Sequence, residues 1–206
     1  MQAENKTSMN IGIVLLAAGS SSRLGEPKQL LKYDDQTLLQ HSLQVAIASN
    51  GSPIVVVLGA NAGEILKSID PGSAHIVVNE EWQEGMGASI RYGIKTILQV
   101  DPQVSGGIIM VCDQPFITRE LLNNLVTKHQ LTGKPIITCS YAGTFGPPSL
   151  FDKNIFPELL QLKGDAGAKK IIHQHAGELD VILFPEGETD IDTKADYEKY
   201  IDAMSH

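Results

Sequence analysis

Residues 11–28 constrain the fold of this chain more than any other stretch, because an apolar strand runs there directly into a loop of small residues. Residues 11–16 are continuously apolar, which is typical of a parallel strand that is covered on both faces. Residues 17–19 are two alanines and a glycine, which let a ligand approach the backbone, and three serines follow. Arg23 and Lys28 then bring two positive charges. Backbone donors beside two cations predict a polyphosphate site.

The glycine spacing in this loop excludes the two commonest phosphate-binding motifs. After Gly19 the next glycine is Gly25, which Glu26 follows, so the P-loop pattern G-x-x-x-x-G-K-[ST] does not match. The dinucleotide fingerprint G-x-G-x-x-G is absent from the sequence as well. The pattern that remains is L-A-A-G-x-S-x-R-x-G-x-x-K, from Leu16 to Lys28. A flexible serine loop with two solvated cations is the alternative interpretation of the same residues.

The composition is that of one acidic globular domain. At 206 residues the chain has the length of a single α/β domain, and its net charge of -8 argues against binding to nucleic acid or an anionic membrane. Cys112 and Cys139 lie near the ends of apolar runs, so we expect buried free thiols and a reducing, cytoplasmic location. The first residues are polar, and no apolar run approaches the ~18 residues of a membrane span. We expect a flexible N-terminus over residues 1–9 and one domain over 10–206.

Apolar strands and amphipathic helices alternate along residues 11–140. We predict strands at 11–16, 54–58, 75–78, 107–112 and 135–140, and helices from the Thr37 cap to about residue 50 and at 62–69, 87–98 and 118–130. This order predicts a three-layer α/β/α fold with a mostly parallel, Rossmann-like sheet. From Phe145 onward the alternation loosens. There we expect an insertion or cap over the sheet, with helices near 157–162 and at 168–175 and a strand at 181–184.

Two predicted strands end in polar residues at the edge of the sheet where ligands of parallel sheets bind. Asp113 follows the fourth strand, where a carboxylate can hold a divalent cation that bridges phosphates. Capping of the next helix is the alternative role, although Thr118 already suits that position. After the third strand, Asn79 precedes Gly85 and Ser89, where a helix begins whose N-terminus favours an anion. We therefore expect nucleotide contacts at both strand ends.

The motif from Leu16 to Lys28 resembles the signature of nucleotidyltransferases that join a nucleoside triphosphate to a phosphate-bearing acceptor. Further segments are similar to the MobA-like NTP transferases of the nucleotide-diphospho-sugar transferase type, and most like the branch that handles the molybdenum cofactor. These segments are residues 79–89, Asp113-Gln-Pro115, Gly164-Asp-x-Gly-Ala-Lys169 and Asp190-Ile-Asp-Thr193. The likeness covers the chain from Ile11 to Tyr200.

Three short segments bear on which branch of that family the chain resembles. Ala17-Ala18 is more like the cytidylyltransferases than the guanylyltransferases, which tend to carry a glycine pair there. Cys112 stands where many relatives have glycine, and Gly146-Pro147-Pro148 replaces the more usual Gly-His-Pro. Both departures lie near the expected pocket, so they concern the identity of the acceptor more than the type of reaction.

The resemblance implies an Mg²⁺-dependent enzyme that transfers CMP from CTP to the terminal phosphate of molybdopterin and releases pyrophosphate. It implies that residues 10–140 bind the nucleotide and that residues 141–190 bind the acceptor. It also implies a transient contact with a molybdoenzyme or its chaperone.

The same resemblance assigns roles to individual residues. Arg23, Lys28 and Asp113 are the expected catalytic residues, Asp113 and Asp192 the expected Mg²⁺ ligands, and Pro148 and Asp165 the expected acceptor contacts. The expected nucleotide contacts are Leu16, Ala17, Ala18, Gly19, Ser20, Ser21, Ser22, Arg23, Lys28, Asn79, Gly85 and Ser89. An aspartate pair before a terminal helix is also a common helix cap, so that role stays open for Asp192.

Other functions remain open at this point. Sugar phosphates, phosphocholine and methylerythritol phosphate are acceptors of enzymes with related loops. A non-catalytic carrier of molybdopterin would keep the phosphate loop, although the presence of Asp113 disfavours it. A nicotinamide-dependent oxidoreductase is disfavoured because the dinucleotide fingerprint is missing.

Overall fold

The computed structural model describes residues 9–204, so most of the segment expected to be a flexible N-terminus lies outside the described residues. The strands are β1 (Ile11–Ala17), β2 (Lys32–Tyr33), β3 (Gln36–Thr37), β4 (Ile54–Leu58), β5 (His75–Val78), β6 (Gly106–Val111), β7 (Ile136–Tyr141), β8 (Thr144–Asp152) and β9 (Leu179–Leu183). The α-helices are α1 (Leu38–Ala48), α2 (Ala62–Ile65), α3 (Met86–Val100), α4 (Arg119–Thr132), α5 (Phe156–Leu159), α6 (Lys169–Gln174) and α7 (Lys194–Met204).

Seven strands form one central sheet in the order β5-β4-β1-β6-β8-β7-β9, and β2 and β3 form a small separate hairpin. The β1 strand lies in the middle and pairs in parallel with both β4 and β6. The β4–β5 and β7–β9 pairs are also parallel, whereas β8 runs antiparallel to β6 and β7. The expected mostly parallel sheet is therefore confirmed.

Helices cover both faces of this sheet. Successive residues of β1 point to opposite faces, and all seven are buried. Ile13 and Leu15 pack in one core with apolar side chains of α1 and α4, while Val14 packs in a second core with α3, α5 and α6. The molecule has the predicted three-layer α/β/α architecture, and it explains why β1 carries no polar residue.

The two helix caps predicted from the sequence are present. The hydroxyl oxygen of Thr37 accepts a hydrogen bond from the backbone N–H of Gln40 at the start of α1. The hydroxyl of Thr118 accepts one from Leu121 at the start of α4. Because Thr118 caps α4, Asp113 is not needed for that purpose.

The predicted helix over residues 62–69 is shorter than expected, because α2 ends at Ile65. The chain continues in tight turns, in which the N–H groups of Lys67 and Ser68 bond to carbonyls three residues earlier. Among the four residues of α2, Ile65 is the one that is buried. Ile69 still packs against the core beyond these turns, so the tighter path keeps the apolar contact that the expected helix would have made.

The prediction that the chain leaves the sheet at Phe145 is wrong, because residues 144–152 form β8 inside the sheet. Two prolines disguise this strand, since proline cannot donate to a ladder. The structure accommodates them at an irregularity in the β7–β8 pairing: Thr138 faces Ser149 while its neighbour Cys139 faces Gly146. Pro147 and Pro148 therefore fall between the paired positions, and β6 pairs with residues 149–152.

The C-terminal helix α7 packs against the loop side of the sheet. Tyr200 and Ile191 form a small apolar cluster with Leu31 and Leu38. This cluster fixes the segment before α7 beside the loop that follows β1. None of the helices in residues 9–204 combines the length and the apolar character that crossing a bilayer requires.

Candidate active site

A cavity of about 370 Å³ opens at the carboxyl ends of β1 and β6. Residues 16–20 and Lys28 form one wall, and residues 111–113 form the floor beside it. Trp82, Met86 and Ser89 line the opposite side. The loop predicted to bind a polyphosphate therefore faces Asp113 across one cleft.

The loop after β1 is folded tightly on itself. Ser21 has a φ of 55° and Gly25 a φ of 85°, and the carbonyl oxygen of Ser21 accepts hydrogen bonds from the N–H groups of Leu24 and Gly25. The hydroxyl of Ser21 accepts another from the backbone N–H of Lys28 at 2.9 Å. Ser21 therefore turns inward and holds the loop together. Its hydroxyl also fixes the backbone position from which the Lys28 side chain extends.

Gln29 anchors the loop from below, a role that the sequence analysis missed. Its side chain is buried, and its amide nitrogen donates to the carbonyl oxygens of Ala17 and Gly19, each at 2.9 Å. Those bonds hold the two carbonyl groups, and with them this part of the loop, in place. Gln29 lies directly after Lys28, in a short 3₁₀ turn (Lys28–Leu30), and nothing in the sequence distinguishes it there from an ordinary polar loop residue.

We expect Gln29→Met to loosen this loop, because methionine fills the same space without donating a hydrogen bond. Losing two hydrogen bonds should lower the free energy of unfolding by about 1–3 kcal/mol and raise the KM for the nucleotide more than it lowers kcat. Thermal unfolding and steady-state kinetics measure the two effects. Gln130→Met changes the same residue type at an exposed position of α4 and serves as the control. An unchanged KM in Gln29→Met would contradict the anchoring role.

Four charged side chains meet at the rim of the cavity. The Lys28 ammonium nitrogen lies 2.7 Å from Oδ2 of Asp113 and 2.8 Å from Oδ1 of Asp192. The other oxygen of Asp192, Oδ2, accepts from Arg23 at 2.7 Å. The four residues carry two formal charges of each sign, and Lys28 is the bridge between the two carboxylates.

The charges inside this network reinforce one another. Burial alone would lower the pKa of the Lys28 ammonium, but the neighbouring Asp113 and Asp192 carboxylates outweigh burial and raise this pKa above its usual range. Burial opposes ionisation of Asp192, but Lys28 and Arg23 lower its pKa overall. Lys28 and Asp192 are therefore both charged at neutral pH.

Asp192 reaches this network through the packing of its neighbour in sequence. The backbone N–H of Ile191 donates to the carbonyl oxygen of Asp113 at 3.0 Å, and the Ile191 side chain is fully buried. Asp113 and Asp192 are thereby placed side by side although 79 positions separate them in the chain. The structure brings together all four residues that the sequence analysis assigned to catalysis and metal binding.

The pair of carboxylates suits a divalent cation that is shared with phosphates. Mg²⁺ is commonly held by one or two protein carboxylates together with phosphate oxygens. Within residues 9–204 no group of three or more His, Cys, Asp or Glu residues is arranged to hold a metal ion on its own. Asp113 and Asp192 therefore fit a cation that enters with a nucleotide, and they do not form a complete protein cage.

Cys112 lies on the cavity floor and is buried, as Cys139 is elsewhere, and the two thiols are unpaired. Burial, with the adjacent charge of Asp113, raises the pKa of the Cys112 thiol to about 12. The thiol is therefore protonated at neutral pH and is no nucleophile there. The prediction of buried free thiols is confirmed.

The segment from Gly85 to Ser89 forms the side of the cavity opposite the phosphate loop. Gly85 has a φ of 99°, and a Cβ atom there would lie 2.3 Å from Oδ1 of Asp165. The glycine therefore permits the loop around Asp165 to rest directly on the start of α3. Asn79 is fully buried, donates to the Ser89 hydroxyl at 3.0 Å and accepts from the N–H of Glu81.

A second cavity of about 340 Å³ adjoins the first. Phe145, Phe151 and Ile172 give it apolar walls, and Tyr141 and Asp190 supply polar groups. Burial, together with the charge of Asp113, raises the pKa of Asp190 to about 6. Four residues line both cavities, so the two form one continuous cleft: Leu16, Met86, Val111 and Asp165.

Some predicted contacts lie away from the cleft walls. Ser22 and Arg23 sit at the rim of the loop, and Asn79 lies behind Ser89. Among the described residues of the second cavity, Pro147 lines the wall, whereas the predicted acceptor contact Pro148 is buried beside it. The predicted acceptor contact Asp165 lies at the junction of the two cavities.

Known proteins resemble this chain in sequence and in fold. The model of the MobA-like NTP transferase domain matches residues 13–179. The nicotine blue oxidoreductase of Paenarthrobacter nicotinovorans is 30% identical, over 87% of this chain and 91% of its own length. The purine catabolism protein PucB of Bacillus subtilis (strain 168) is 28% identical, over 93% of this chain and 96% of its own length.

The solved structure of Rv0371c from Mycobacterium tuberculosis H37Rv superimposes with a TM-score of 0.83 and 32% identity, covering 95% of this chain and 99% of that one. A structure of the same mycobacterial protein in complex with manganese has a TM-score of 0.79 and 29% identity, with 95% and 100% of the two chains covered. The family match spans the phosphate loop, Asp113 and all of the first cavity, whereas Asp190 of the second cavity and Asp192 lie beyond it. This chain belongs to the MobA-like NTP transferase family of nucleotidyltransferases.

Proposed function

We propose that the protein transfers CMP from CTP to the terminal phosphate of molybdopterin and releases pyrophosphate, with Mg²⁺ as its metal ion. One observation carries this proposal: the phosphate loop faces Asp113 across the first cavity, and Lys28 bridges Asp113 to Asp192 at the rim of that cavity, which joins the second one beside Asp165. A nucleotide in the first cavity and a phosphorylated acceptor in the second would meet at this junction. In this arrangement residues 10–140 mainly bind the nucleotide, and residues 141–190 mainly bind the acceptor.

This reaction requires the protein to align the reactants and neutralise their charges more than it requires a general base. The acceptor phosphate is already anionic, so its oxygen can attack the α-phosphorus directly while pyrophosphate leaves in line. Backbone N–H groups of residues 17–22 would hold the β and γ phosphates, and Arg23 and Lys28 would neutralise the developing charge. When bound by Asp113 and Asp192, Mg²⁺ supplies Lewis-acid polarisation of the phosphate oxygens.

The second cavity supports an acceptor that carries a planar ring. Its apolar walls include Phe145 and Phe151, and the Tyr141 hydroxyl and the Asp190 carboxyl give it polar groups at one side. Such a lining binds the face of a ring by apolar contact and its edge by hydrogen bonds. Asp165, at the junction, would lie near the phosphate-bearing end of that acceptor, and Pro148 would shape the wall from behind Pro147. Delivery of the product would involve transient contact with a molybdoenzyme or its chaperone.

The direct test measures pyrophosphate release with each of the four nucleoside triphosphates, Mg²⁺, and a panel of acceptors. Molybdopterin is one arm, and a sugar phosphate, phosphocholine and methylerythritol phosphate are the others. Pyrophosphate release with CTP and molybdopterin, and with no other pair of nucleotide and acceptor, supports the proposal. Release with another acceptor would keep the reaction class and replace the acceptor, and binding of molybdopterin without release would indicate a carrier.

We expect kcat/KM to be higher for CTP than for GTP by about tenfold or more, which corresponds to ~1.4 kcal/mol in transition-state stabilisation. The reason is the resemblance of Ala17-Ala18, which line the nucleotide cavity, to the cytidylyltransferases, since guanylyltransferases tend to carry a glycine pair there. Ala18→Gly should narrow the preference. Equal or reversed kcat/KM values for the two nucleotides in the parent protein would contradict it.

The name of the Paenarthrobacter relative raises an oxidoreductase as a second candidate. The same protein preparation can be incubated with reduced nicotinamide dinucleotides and an electron acceptor, and the loss of reduced-nicotinamide absorbance followed. We expect no loss above the rate without protein, because the chain lacks the dinucleotide fingerprint. Oxidation of the reduced nicotinamide, together with no pyrophosphate release in the nucleotidyltransferase assay, would replace the proposed function with an oxidoreductase activity.

A further inference from the structure

We infer that Lys28 is a resident counter-ion of the metal site, which occupies the carboxylates of Asp113 and Asp192 until nucleotide phosphates draw it away. The binding of divalent cation and of nucleotide would then be cooperative. The inference rests on the proposed metal site and is independent of which nucleotide or acceptor the enzyme uses.

The first step is the geometry of the ammonium group. Its nitrogen bridges one oxygen of Asp113 and one of Asp192, at 2.7 and 2.8 Å. Asp113 and Asp192 are also the two carboxylates that would hold a divalent cation at this rim. Mg²⁺ binds oxygen at 2.0–2.1 Å, so it cannot share that space with an ammonium group, which also repels it electrostatically.

The second step is that Lys28 is well placed and poorly replaceable. Its side chain is 14% exposed, and its backbone is tied to the loop through the Ser21 hydroxyl. Arg23 contacts Asp192 and is 68% exposed, and no contact joins it to Asp113 among the described ion pairs. Among the described residues, Lys28 is therefore the cation that bridges the two carboxylates in the nucleotide-free protein.

The third step is what releases Lys28. The residue lines the nucleotide cavity together with residues 16–20, so phosphates on the loop would lie within reach of its flexible side chain. Moving the ammonium to a phosphate leaves two adjacent carboxylates without their shared partner, which favours a divalent cation there. By linkage, each ligand then raises the affinity for the other by the same factor.

The test measures Mn²⁺ binding to the full chain without nucleotide, from the loss of the free-ion electron paramagnetic resonance signal. We expect Lys28→Met to bind one Mn²⁺ about tenfold more tightly than the parent, a size typical of coupling between sites. Lys128→Met is the matched control, because it also removes a lysine from an ion pair, with Asp180, outside both cavities. Adding Asp113→Asn to Lys28→Met should abolish the gain.

A second readout covers the case in which Lys28→Met folds poorly. Mn²⁺ should raise the melting temperature of Lys28→Gln more than that of the parent or of Lys128→Met, because it replaces the missing positive charge. Affinities within about twofold for Lys28→Met and the parent, or an equal gain in Lys128→Met, would overturn the inference. This assay contains no CTP and no acceptor, whereas the proposed function fails if no pyrophosphate is released.

Discussion

Lys28→Ala should lower kcat for pyrophosphate release by about 10²- to 10³-fold, because an aligned positive charge in a water-poor site stabilises the transition state by ~3–4 kcal/mol. In the resting protein the same substitution removes the ammonium that bridges Asp113 and Asp192. We therefore expect a lower melting temperature without metal and partial recovery with Mg²⁺. Single-turnover rates and thermal unfolding with and without Mg²⁺ measure both effects.

The matched control for this loss is Lys128→Ala, in an ion pair outside both cavities. It removes one positive charge, so it separates the local effect from the change in net charge. Its rate should equal that of the parent. Activity of Lys28→Ala within about threefold of the parent, a difference of less than ~0.7 kcal/mol, would remove Lys28 from the reaction.

The central part of the fold follows from the sequence because its signals are local. The apolar run of β1, the caps Thr37 and Thr118 and the alternation of strands and helices each lie within a few residues. The order of the buried parallel strands limits the architecture further. For the same reason the position of Asp113, at the end of β6, could be predicted before the structure was known.

The β8 strand could not be predicted, because its signal is not local. Its two prolines argue against a central strand, and they are tolerated since the irregularity at Thr138 and Cys139 leaves them between the paired positions. The two extra residues lie in β8 itself, because Thr138 and Cys139 are consecutive in β7 whereas Gly146 and Ser149 are three positions apart in β8. Whether the two prolines can be left unpaired depends on the register with β7, which the sequence of β8 alone does not show.

The candidate site also combines features that the sequence predicts with features that only the structure shows. The residue types of the phosphate loop and of Asp113 indicate phosphates and a cation, but the sequence does not show that Lys28 bonds both Asp113 and Asp192. Those contacts depend on the packing of Ile191 and Tyr200 against Leu31. Gln29 escaped notice because a buried glutamine in a short turn resembles any polar loop residue until its two carbonyl partners are known.

Asp113→Asn tests the other half of the site, because asparagine keeps the shape of the side chain and removes its negative charge. An asparagine oxygen still accepts a hydrogen bond from Lys28, so the metal-free protein should lose only about 1 kcal/mol of stability. The affinity for the cation depends on charge. We therefore expect the Mg²⁺ concentration for half-maximal rate to rise about tenfold or more and kcat to fall by roughly 10²-fold.

The two possible roles of Asp113 give different results in this experiment. If Asp113 merely capped the following helix, asparagine would replace it without a change in rate, since the two residues cap about equally well. Thr118 already caps α4, so we expect the metal-dependent result. The measurement is pyrophosphate release against Mg²⁺ concentration, with Asp180→Asn, outside both cavities, as the control. An unchanged Mg²⁺ requirement and rate in Asp113→Asn would mean that another acid holds the cation, and Asp190, whose carboxyl lines the second cavity, would be the next residue to replace.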